Sequence, residues 1–234
     1  MFCDANLNIR GKQIMSDKVG EYWIGKSMDD PIICPNLNIF RFVNGIIDNL
    51  NGKNVLEIGF RGGENLKEFQ RRGATVYGLD LNQNYMPNVE FISNDKKGVY
   101  RAGHDKITFD APISLIFLHD TLFYLTDDEI DFFFDDCFEA LAENGILVTQ
   151  FVEADFKING EPINKKAFDH SAFSDISLSA TIPEDNLPRF LSTTSLIKQA
   201  NRAGMDLVSS MRVIYSYDQA ETNFRVDKFL GFKK

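Results

Sequence analysis

The feature that most constrains this chain is a strand-to-helix turn rich in glycine. The stretch KNVLEIGFRGGENLKEF, residues 53–69, runs an apolar strand into Glu57 and places glycines at 59, 62 and 63 before a helix. Each glycine inside a strand or helix costs roughly 0.5–1 kcal/mol relative to alanine, so three of them indicate a turn that needs bare backbone. In an open parallel sheet, ligands bind at such turns, outside the carboxyl ends of the strands. The stretch therefore predicts a ligand site at the first strand-to-helix turn.

Strands and helices alternate from about residue 38 to residue 232, which predicts βαβ units and a parallel sheet. The run ISLIFL, residues 113–118, is almost entirely apolar, as expected of a strand buried on both faces. Two extended runs, near 206–216 and 223–232, are too close for a crossover helix and predict an antiparallel hairpin. The predicted fold is an α/β, doubly wound, mostly parallel seven-stranded sheet (Rossmann-like) with an antiparallel C-terminal hairpin.

Two helices can be placed by their apolar spacing and their ends. Apolar residues from Ile39 to Leu50 recur with helical spacing, and Asn51 and Gly52 close this helix. Thr126 with Glu129 has the spacing of a capping box, which predicts the start of another helix. The apolar face of that helix is predicted to comprise Ile130, Phe133, Phe134, Cys137 and Leu141.

Composition and charge disfavour several classes of partner. The net charge of −9 argues against nucleic acid or an anionic membrane surface as the main partner. No apolar run approaches the roughly 20 residues that span a bilayer, and no export signal opens the sequence. The cysteines, Cys3, Cys34 and Cys137, show no metal-binding spacing and suit a reducing compartment. These observations predict a soluble, cytoplasmic protein without a metal, a nucleic-acid partner or membrane insertion.

The acids around the glycine turn discriminate between two cofactor classes that use such turns, dinucleotides and S-adenosylmethionine. The dinucleotide fingerprint G-x-G-x-x-G does not fit the string GFRGGE, residues 59–64. Glu57 and Glu64 would meet a pyrophosphate with like charge, whereas a sulfonium cofactor that carries an ammonium group favours acids there. Asp80, at the end of the second predicted strand, stands where a carboxylate could accept both ribose hydroxyls.

At these residues the chain resembles the class I S-adenosylmethionine-dependent methyltransferases. The resemblance is carried, in family order, by VLEIGFRGG, VYGLDLN, EFISND, LIFLHDTLFYLTDDEI and ALAENGILVTQF, with STTSLIKQANRAGMDLVSS ahead of the final hairpin. Together these segments cover about residues 38–232. One departure is Arg61, which stands where the family usually has its middle glycine, so that the tight turn would shift to Gly62.

The resemblance implies roles for individual residues around the cofactor. Glu57 and the backbone at Gly59 would hold its methionine end, and Asp80 would bind its ribose. Asp95 would take the adenine amino group, with the backbone of Lys96 nearby. The full implied cofactor site is Glu57, Gly59, Phe60, Arg61, Gly62, Gly63, Asp80, Leu81, Asn94, Asp95, Lys96 and His119.

The implied catalytic residues are His119 and Asp120, which follow the fourth strand at the mouth where the methyl group is transferred. A neutral imidazole at His119 could accept the proton of an acceptor hydroxyl. The sequence is equally consistent with a histidine that only positions the cofactor or the acceptor, or that makes hydrogen bonds within the core. Asp120 could be a base, a cofactor ligand or a cap. The candidates on the acceptor side are Tyr22, Trp23, Tyr124, Glu153, His170 and Arg189.

The nature of the methyl acceptor is predicted from the variable parts of a single methyltransferase domain, 1–234. An N-terminal arm, 1–36, and an insertion, 154–191, are expected to form the acceptor-side cap, and both are polar. They predict a small polar molecule or a sugar, methylated on oxygen. The pair YW in the arm, residues 22–23, and FRF in the first helix, residues 40–42, resemble bacterial methyltransferases of surface-glycan biosynthesis, and this resemblance implies a sugar, a sugar phosphate or a related glycan precursor as the acceptor. Two alternatives are an NAD(P)-dependent oxidoreductase on the same Rossmann-like fold and a non-catalytic protein that binds S-adenosylmethionine and serves as a partner.

Overall fold

The computed structural model describes residues 35–60, 62–81, 90–91, 100–153, 157–158, 161–162, 191–216 and 224–234. The helices are α1 (Leu37–Asn44), α2 (Glu64–Arg71), α3 (Asp127–Ala140) and α4 (Thr193–Arg202), with a short 3-10 helix at Leu122–Tyr124. The strands are β1 (Asn54–Ile58), β2 (Thr75–Leu79), β3 (Glu90–Phe91), β4 (Ile113–Leu118), β5 (Leu141–Val152), β6 (Lys157–Ile158), β7 (Glu161–Pro162), β8 (Asp206–Ser216) and β9 (Phe224–Lys233).

One mixed sheet organises the described residues, in the strand order β3-β2-β1-β4-β5-β9-β8. Strands β1 to β5 pair in parallel, whereas β9 runs antiparallel between β5 and β8. Six of these strands are five residues or longer, and β3 adds a two-residue strand at one edge. The predicted doubly wound, mostly parallel sheet with an antiparallel C-terminal hairpin is confirmed. The chain reverses its direction across the sheet between β1 and β4, so a ligand crevice is expected at the carboxyl ends of these two neighbours.

Helices cover both faces of the sheet. Val55 packs with α1 and α2 on one face, and the adjacent Leu56 packs with α3 and α4 on the other. Successive side chains of a strand point to opposite faces, so a strand covered on both must be apolar throughout. This explains the uninterrupted apolar run of β4, of which only Ser114 is not fully buried.

The first helix is shorter than predicted. It ends at Asn44 instead of continuing to Leu50, because the chain turns at Gly45. Ile46 and Ile47, within this turn, still pack partly buried against the core of the same face. Their apolar spacing therefore continues beyond the helix, and periodicity alone overestimated its length.

The third helix begins where the sequence predicted. Thr126 Oγ1 accepts a hydrogen bond from the Glu129 backbone N–H at 3.3 Å, and Glu129 Oε2 accepts one from the Thr126 N–H at 2.7 Å. The capping box is thus confirmed. Leu141 is buried as expected, but it is the first residue of β5 and not part of the helix. The other predicted residues of the apolar face are all fully buried: Ile130, Phe133, Phe134 and Cys137.

The two segments predicted to form the cap lie mostly outside the described residues. Within 154–191 the structure describes the small hairpin of β6 and β7 and a parallel bridge from Glu153 to Leu191. Of the arm, 1–36, it describes only the last two residues. The division of the chain into a domain, an arm and an insertion therefore stays a prediction. Among the helices that the structure describes, none is long and apolar enough to cross a membrane.

Candidate functional site

The glycine turn lies at the carboxyl end of β1, where the sheet changes direction. Gly59 has a φ of 75°, a conformation that favours glycine, and its N–H donates to the Leu79 carbonyl at 2.8 Å. A Cβ at this position would collide with the Thr121 hydroxyl, which belongs to the loop after β4. Glycine at 59 thus lets the turn after β1 and the loop after β4 approach each other closely.

The second part of the turn aims the N-terminus of α2 toward the same edge. Gly63 is the N-cap residue, has a φ of 70° and provides no side-chain cap for the helix. Its N–H donates to the Phe60 carbonyl at 2.7 Å, which closes the turn. The Phe60 ring is buried over β2, where a Cβ on Gly78 would lie 2.5 Å from it. The free backbone N–H groups of a helix start favour the negative end of a ligand.

Glu57 is a buried acid directly beneath the turn. Its side chain is 2% exposed, and Oε1 accepts a hydrogen bond from Asn65 Nδ2 at 2.8 Å. Oε2 is buried and has no hydrogen-bond partner among the residues that the structure describes. Burial raises the pKa of Glu57 well above its usual value; the Asn65 hydrogen bond opposes this, and the charges of Asp80 and Glu64 add to it. The turn therefore covers a buried acidic oxygen to which none of the described residues donates a hydrogen bond.

Asp80 follows β2, in which Gly78, two residues earlier, pairs with Glu57 across the sheet. It is 8% exposed, and its backbone carbonyl accepts the Tyr100 N–H at 3.2 Å. Leu81 follows it and is half-buried. The predicted acids Glu57 and Asp80 are therefore brought together at one edge of the sheet, close enough to influence each other electrostatically.

A chain of hydrogen bonds connects Glu57 to His119. Asn65, which bonds Glu57, also accepts the Asn36 backbone N–H through Oδ1 at 2.9 Å. Asn36 Nδ2 then lies 2.7 Å from His119 Nε2. Asn36 Oδ1 accepts the N–H of Asn38 as the cap of α1, so the amide must present its donor to the histidine. We therefore assign His119 as the tautomer with its proton on Nδ1 and with Nε2 as an acceptor.

The loop after β4 holds Asp120 in an unusual conformation. Its φ is 52°, and its N–H donates to Gln150 Oε1 at 2.8 Å. Gln150 is fully buried on β5, and its Nε2 makes no hydrogen bond to the described part of the chain. Asp120 Oδ2 lies 3.5 Å from His119 Nε2. Both predicted catalytic residues are thus placed at the carboxyl end of β4, beside the glycine turn.

Two described candidates on the acceptor side have different surroundings. Tyr124 ends the 3-10 helix after β4 and packs half-buried against the core. Glu153 follows β5 and is bound by Arg212 and Thr193. The remaining predicted residues lie outside the described part of the chain: Tyr22, Trp23, Arg61, Asn94, Asp95, Lys96, His170 and Arg189.

Three residues of the site were missed by sequence reasoning: Asn36, Asn65 and Gln150. Asn36 carried a signal, since asparagine ahead of an apolar periodic run is a common helix cap. Asn65 and Gln150 occur within a helix and a strand, where polar side chains are usually surface residues. Only the packing of α2 and β5 shows that they face the site.

A comparison with protein families matches residues 37–210 to the family described as a methyltransferase domain. No curated protein matches the sequence significantly. The match covers the strand-to-helix turn, the loop after β4 and most of the sheet. It spans more than half of the chain.

Many solved structures share the fold. A S-adenosylmethionine-dependent methyltransferase from Methanosarcina mazei is 14% identical, covers 86% of this chain and 99% of its own, and has a TM-score of 0.56. The second is the 1,6-didemethyltoxoflavin-N1-methyltransferase of Burkholderia thailandensis, solved with bound 1,6-didemethyltoxoflavin and S-adenosylhomocysteine. It is 14% identical, covers 100% of this chain and 92% of its own, and has a TM-score of 0.60. The third is the magnesium protoporphyrin IX methyltransferase of Synechocystis PCC 6803, solved with bound S-adenosylhomocysteine. It is 10% identical, covers 100% of this chain and 90% of its own, and has a TM-score of 0.53.

At these identities the structural likeness shows the fold alone, and the two neighbours whose names include an acceptor have different ones. Membership of a family is shown by the match to the family model, which covers more than half of the chain. Together with the glycine turn and the acids beside it, this match establishes that the chain belongs to the methyltransferase-domain family of class I S-adenosylmethionine-dependent methyltransferases, with S-adenosylmethionine as the cofactor.

Proposed function

We propose that the protein transfers a methyl group from S-adenosylmethionine, held at the turn after β1, to a small polar acceptor bound at the loop after β4. The single observation that carries this proposal is the buried, unpartnered Oε2 of Glu57 beneath a turn of bare backbone. An acid in this state fits a ligand that brings a cationic or N–H group, and the ammonium of S-adenosylmethionine is such a group. It would repel a pyrophosphate.

The residues present fit the cofactor in three respects. The close approach of Gly59 to the Thr121 loop leaves backbone, and not side chains, facing the ligand. Glu57 would receive the ammonium, and Asp80 would accept hydrogen bonds from the ribose hydroxyls. The start of α2, with Gly63 as its N-cap and no side-chain cap, leaves backbone N–H groups for the carboxylate of the methionine end.

The cofactor supplies a methyl group already activated by the sulfonium. The protein must then hold the acceptor in line with it, with the reacting atoms about 3–3.5 Å apart, and exclude water. His119 and Asp120 lie at the mouth and would orient the acceptor. His119 Nε2 already accepts from Asn36, so a hydroxyl acceptor can pass its proton to Nε2 only after the Asn36 amide has moved away. Positioning is therefore the role that we assign to His119 in the geometry described.

We further propose that the acceptor is methylated on oxygen and belongs to the sugars, the sugar phosphates or related glycan precursors. The polar composition of residues 1–36 and 154–191 and the net charge of −9 support a small polar molecule and disfavour nucleic acid. The acceptors named for the solved neighbours, a toxoflavin precursor and a magnesium porphyrin, are not sugars. A panel of candidate acceptors should therefore include both oxygen and nitrogen nucleophiles.

Calorimetry with S-adenosylmethionine and S-adenosylhomocysteine tests the cofactor site directly. We expect micromolar binding that weakens by about 1–3 kcal/mol in Asp80→Ala, as for the loss of a charge-assisted hydrogen bond. The control is Asp110→Ala, since Asp110 is exposed and distant from the turn. Equal binding by both variants would remove Asp80 from the site. If neither ligand binds while NAD(P) does, the oxidoreductase alternative would replace the proposal, whereas binding without turnover over the whole panel would favour the non-catalytic alternative.

A further inference from the structure

A glutamine inside the sheet holds the loop that follows β4. Gln150 lies on β5, is fully buried, and accepts the Asp120 backbone N–H through Oε1 at 2.8 Å. Glutamine is rarely buried to this extent, because its polar atoms lose water and must find hydrogen bonds within the protein. The carbonyl of Gln150 has such a bond, whereas Nε2 has none to the described residues. An apolar side chain would fill this place in the sheet without that cost, so the amide calls for another explanation.

The side chain of Gln150 lies on the same face of the sheet as His119. Gln150 follows Val148 by two residues, so both side chains point to the same face, and Val148 packs in the core that α1 covers. His119 faces the same way, since it contacts Asn36, the residue that caps α1. The buried amide therefore stands beside the predicted methyl-transfer mouth and not on the far side of the sheet.

The loop that Gln150 holds, residues 119–121, has a backbone that needs support. Asp120 has a φ of 52°, in a region that residues other than glycine adopt uncommonly. Such a conformation persists where surrounding contacts hold it, and the bond from the Asp120 N–H to Gln150 is a contact of this kind. Asp120 lies between His119 and Thr121, so its backbone sets the direction of both neighbours.

Thr121 connects this loop to the glycine turn after β1. Its hydroxyl lies 3.1 Å from the His119 carbonyl and 3.4 Å from the Ile58 carbonyl, and it packs so closely on Gly59 that a Cβ there would collide with it. A shift of the loop would therefore move the surface against which Gly59 packs. It would also move His119 relative to Asn36.

We propose that Gln150 is a positioning residue of the methyl-transfer site. By accepting the Asp120 N–H, it keeps the loop in the conformation in which Thr121 packs on the turn at Gly59 and His119 accepts from Asn36. One buried amide thus links the affinity for the cofactor to the state of the histidine at the mouth. The inference rests on the proposed function, because it assigns the turn to S-adenosylmethionine and the mouth to the acceptor.

Three variants separate this role from a general effect on β5. Gln150→Met has a similar length and removes the acceptor for the Asp120 N–H, whereas Gln150→Glu keeps an oxygen for it. The matched control is Thr149→Val, at the next residue of the same strand. Thr149 is also fully buried, and its hydroxyl has no hydrogen bond within the described residues, but its side chain points to the opposite face.

Calorimetry with S-adenosylhomocysteine and nitrogen NMR of His119 provide the two measurements. We expect binding to weaken about three- to tenfold in Gln150→Met, as for the loss of one hydrogen bond, and to recover in Gln150→Glu. In the same variant the two ring nitrogens of His119 should move toward each other, as in an imidazole that exchanges between its tautomers. Thr149→Val should match the wild type in both measurements.

Several outcomes would overturn the proposal. Unchanged affinity and unchanged resonances in Gln150→Met would do so, and so would equal changes in Gln150→Met and Thr149→Val. A change in only one of the two measurements would contradict the link between turn and histidine. Urea unfolding of the same samples shows whether Gln150→Met is folded; if it is not, Gln150→Leu takes its place. If the wild type does not bind S-adenosylhomocysteine, the proposed function fails, and the His119 resonances of the free proteins still decide whether Gln150 positions the loop.

Discussion

Replacing Glu57 by glutamine is expected to stabilise the empty protein and to weaken its binding of S-adenosylmethionine. In the structure Asn65 donates a hydrogen bond to Oε1, no described residue donates one to Oε2, and Asp80 and Glu64 add like charge. A buried polar atom without a partner costs about 1–3 kcal/mol, more when the group is charged. Glutamine keeps the bond from Asn65 and puts an unpartnered Nε2 in the place of Oε2, so it removes only the charge and its repulsion by Asp80 and Glu64. The free energy of unfolding at pH 8 should therefore rise by about 1 kcal/mol, on the order of the difference between leaving a charged and a neutral group unpaired.

The size of this gain depends on pH in a direction fixed by the raised pKa of Glu57. In the folded state burial raises that pKa well above 4.5, so the folded protein keeps a proton that the unfolded chain releases. The stability of the wild type therefore falls as pH rises from the unfolded pKa toward the folded one. Below the unfolded pKa both states are protonated, and wild type and variant should be equally stable. Their difference should grow with pH and level off above the folded pKa.

Urea unfolding from pH 4 to pH 8, with and without S-adenosylhomocysteine, measures both effects. Glu143→Gln is the matched control, since it makes the same substitution at an exposed residue near the opposite edge of the sheet, at the start of β5. Calorimetry should show binding of S-adenosylmethionine to Glu57→Gln at least about tenfold weaker, since a charge-assisted contact is lost. A variant less stable than the wild type at pH 8 without ligand would refute the reasoning, because the carboxylate would then have a favourable partner in the empty protein.

Two further predictions follow from single residues. In Asn36→Asp the carboxylate can still cap α1, but it cannot donate a hydrogen bond to His119. The nitrogen NMR resonance of His119 Nε2 should therefore move from the range of an unprotonated nitrogen toward that of a protonated one. An unchanged resonance would contradict the assigned tautomer. Burial raises the pKa of Asp136 to about 6, although the Ile107 N–H donates hydrogen bonds to its carboxylate. The free energy of unfolding should therefore fall as pH rises from about 4 to about 6, and Asp136→Asn should flatten this slope in urea unfolding. A slope equal to that of the wild type would show that the carboxyl of Asp136 does not titrate in this range.

Much of the fold could be predicted because its signals are local. The apolar run of β4, the capping box at Thr126 and the short connection between β8 and β9 each depend on neighbouring residues in the chain. The end of α1 was predicted too late, since Ile46 and Ile47 continue the apolar spacing through a turn. Here packing against the core, and not the helix, explains the periodicity.

The candidate site divides in the same way. Glu57, Gly59 and Asp80 were predicted because a strand end, a glycine and an acid follow one another in the sequence. Asn65 and Gln150 were not predicted. Whether a polar side chain in a helix or strand faces the solvent or the site depends on how that element packs, which the local sequence does not show. The hydrogen bonds from Arg212 to Glu153 likewise join residues that are 59 positions apart in the sequence.

The sequence alone determined the fold class and predicted the cofactor turn and its acids, since glycine spacing, apolar periodicity and caps act over a few residues. The tertiary structure decided which of those groups meet. It placed β4 beside β1, brought Asn36 to His119 across 83 residues and thereby fixed the tautomer of the imidazole. It also left one oxygen of Glu57 without a hydrogen bond from the described residues. Contacts of this kind depend on strand order and on burial, which no short stretch of sequence encodes.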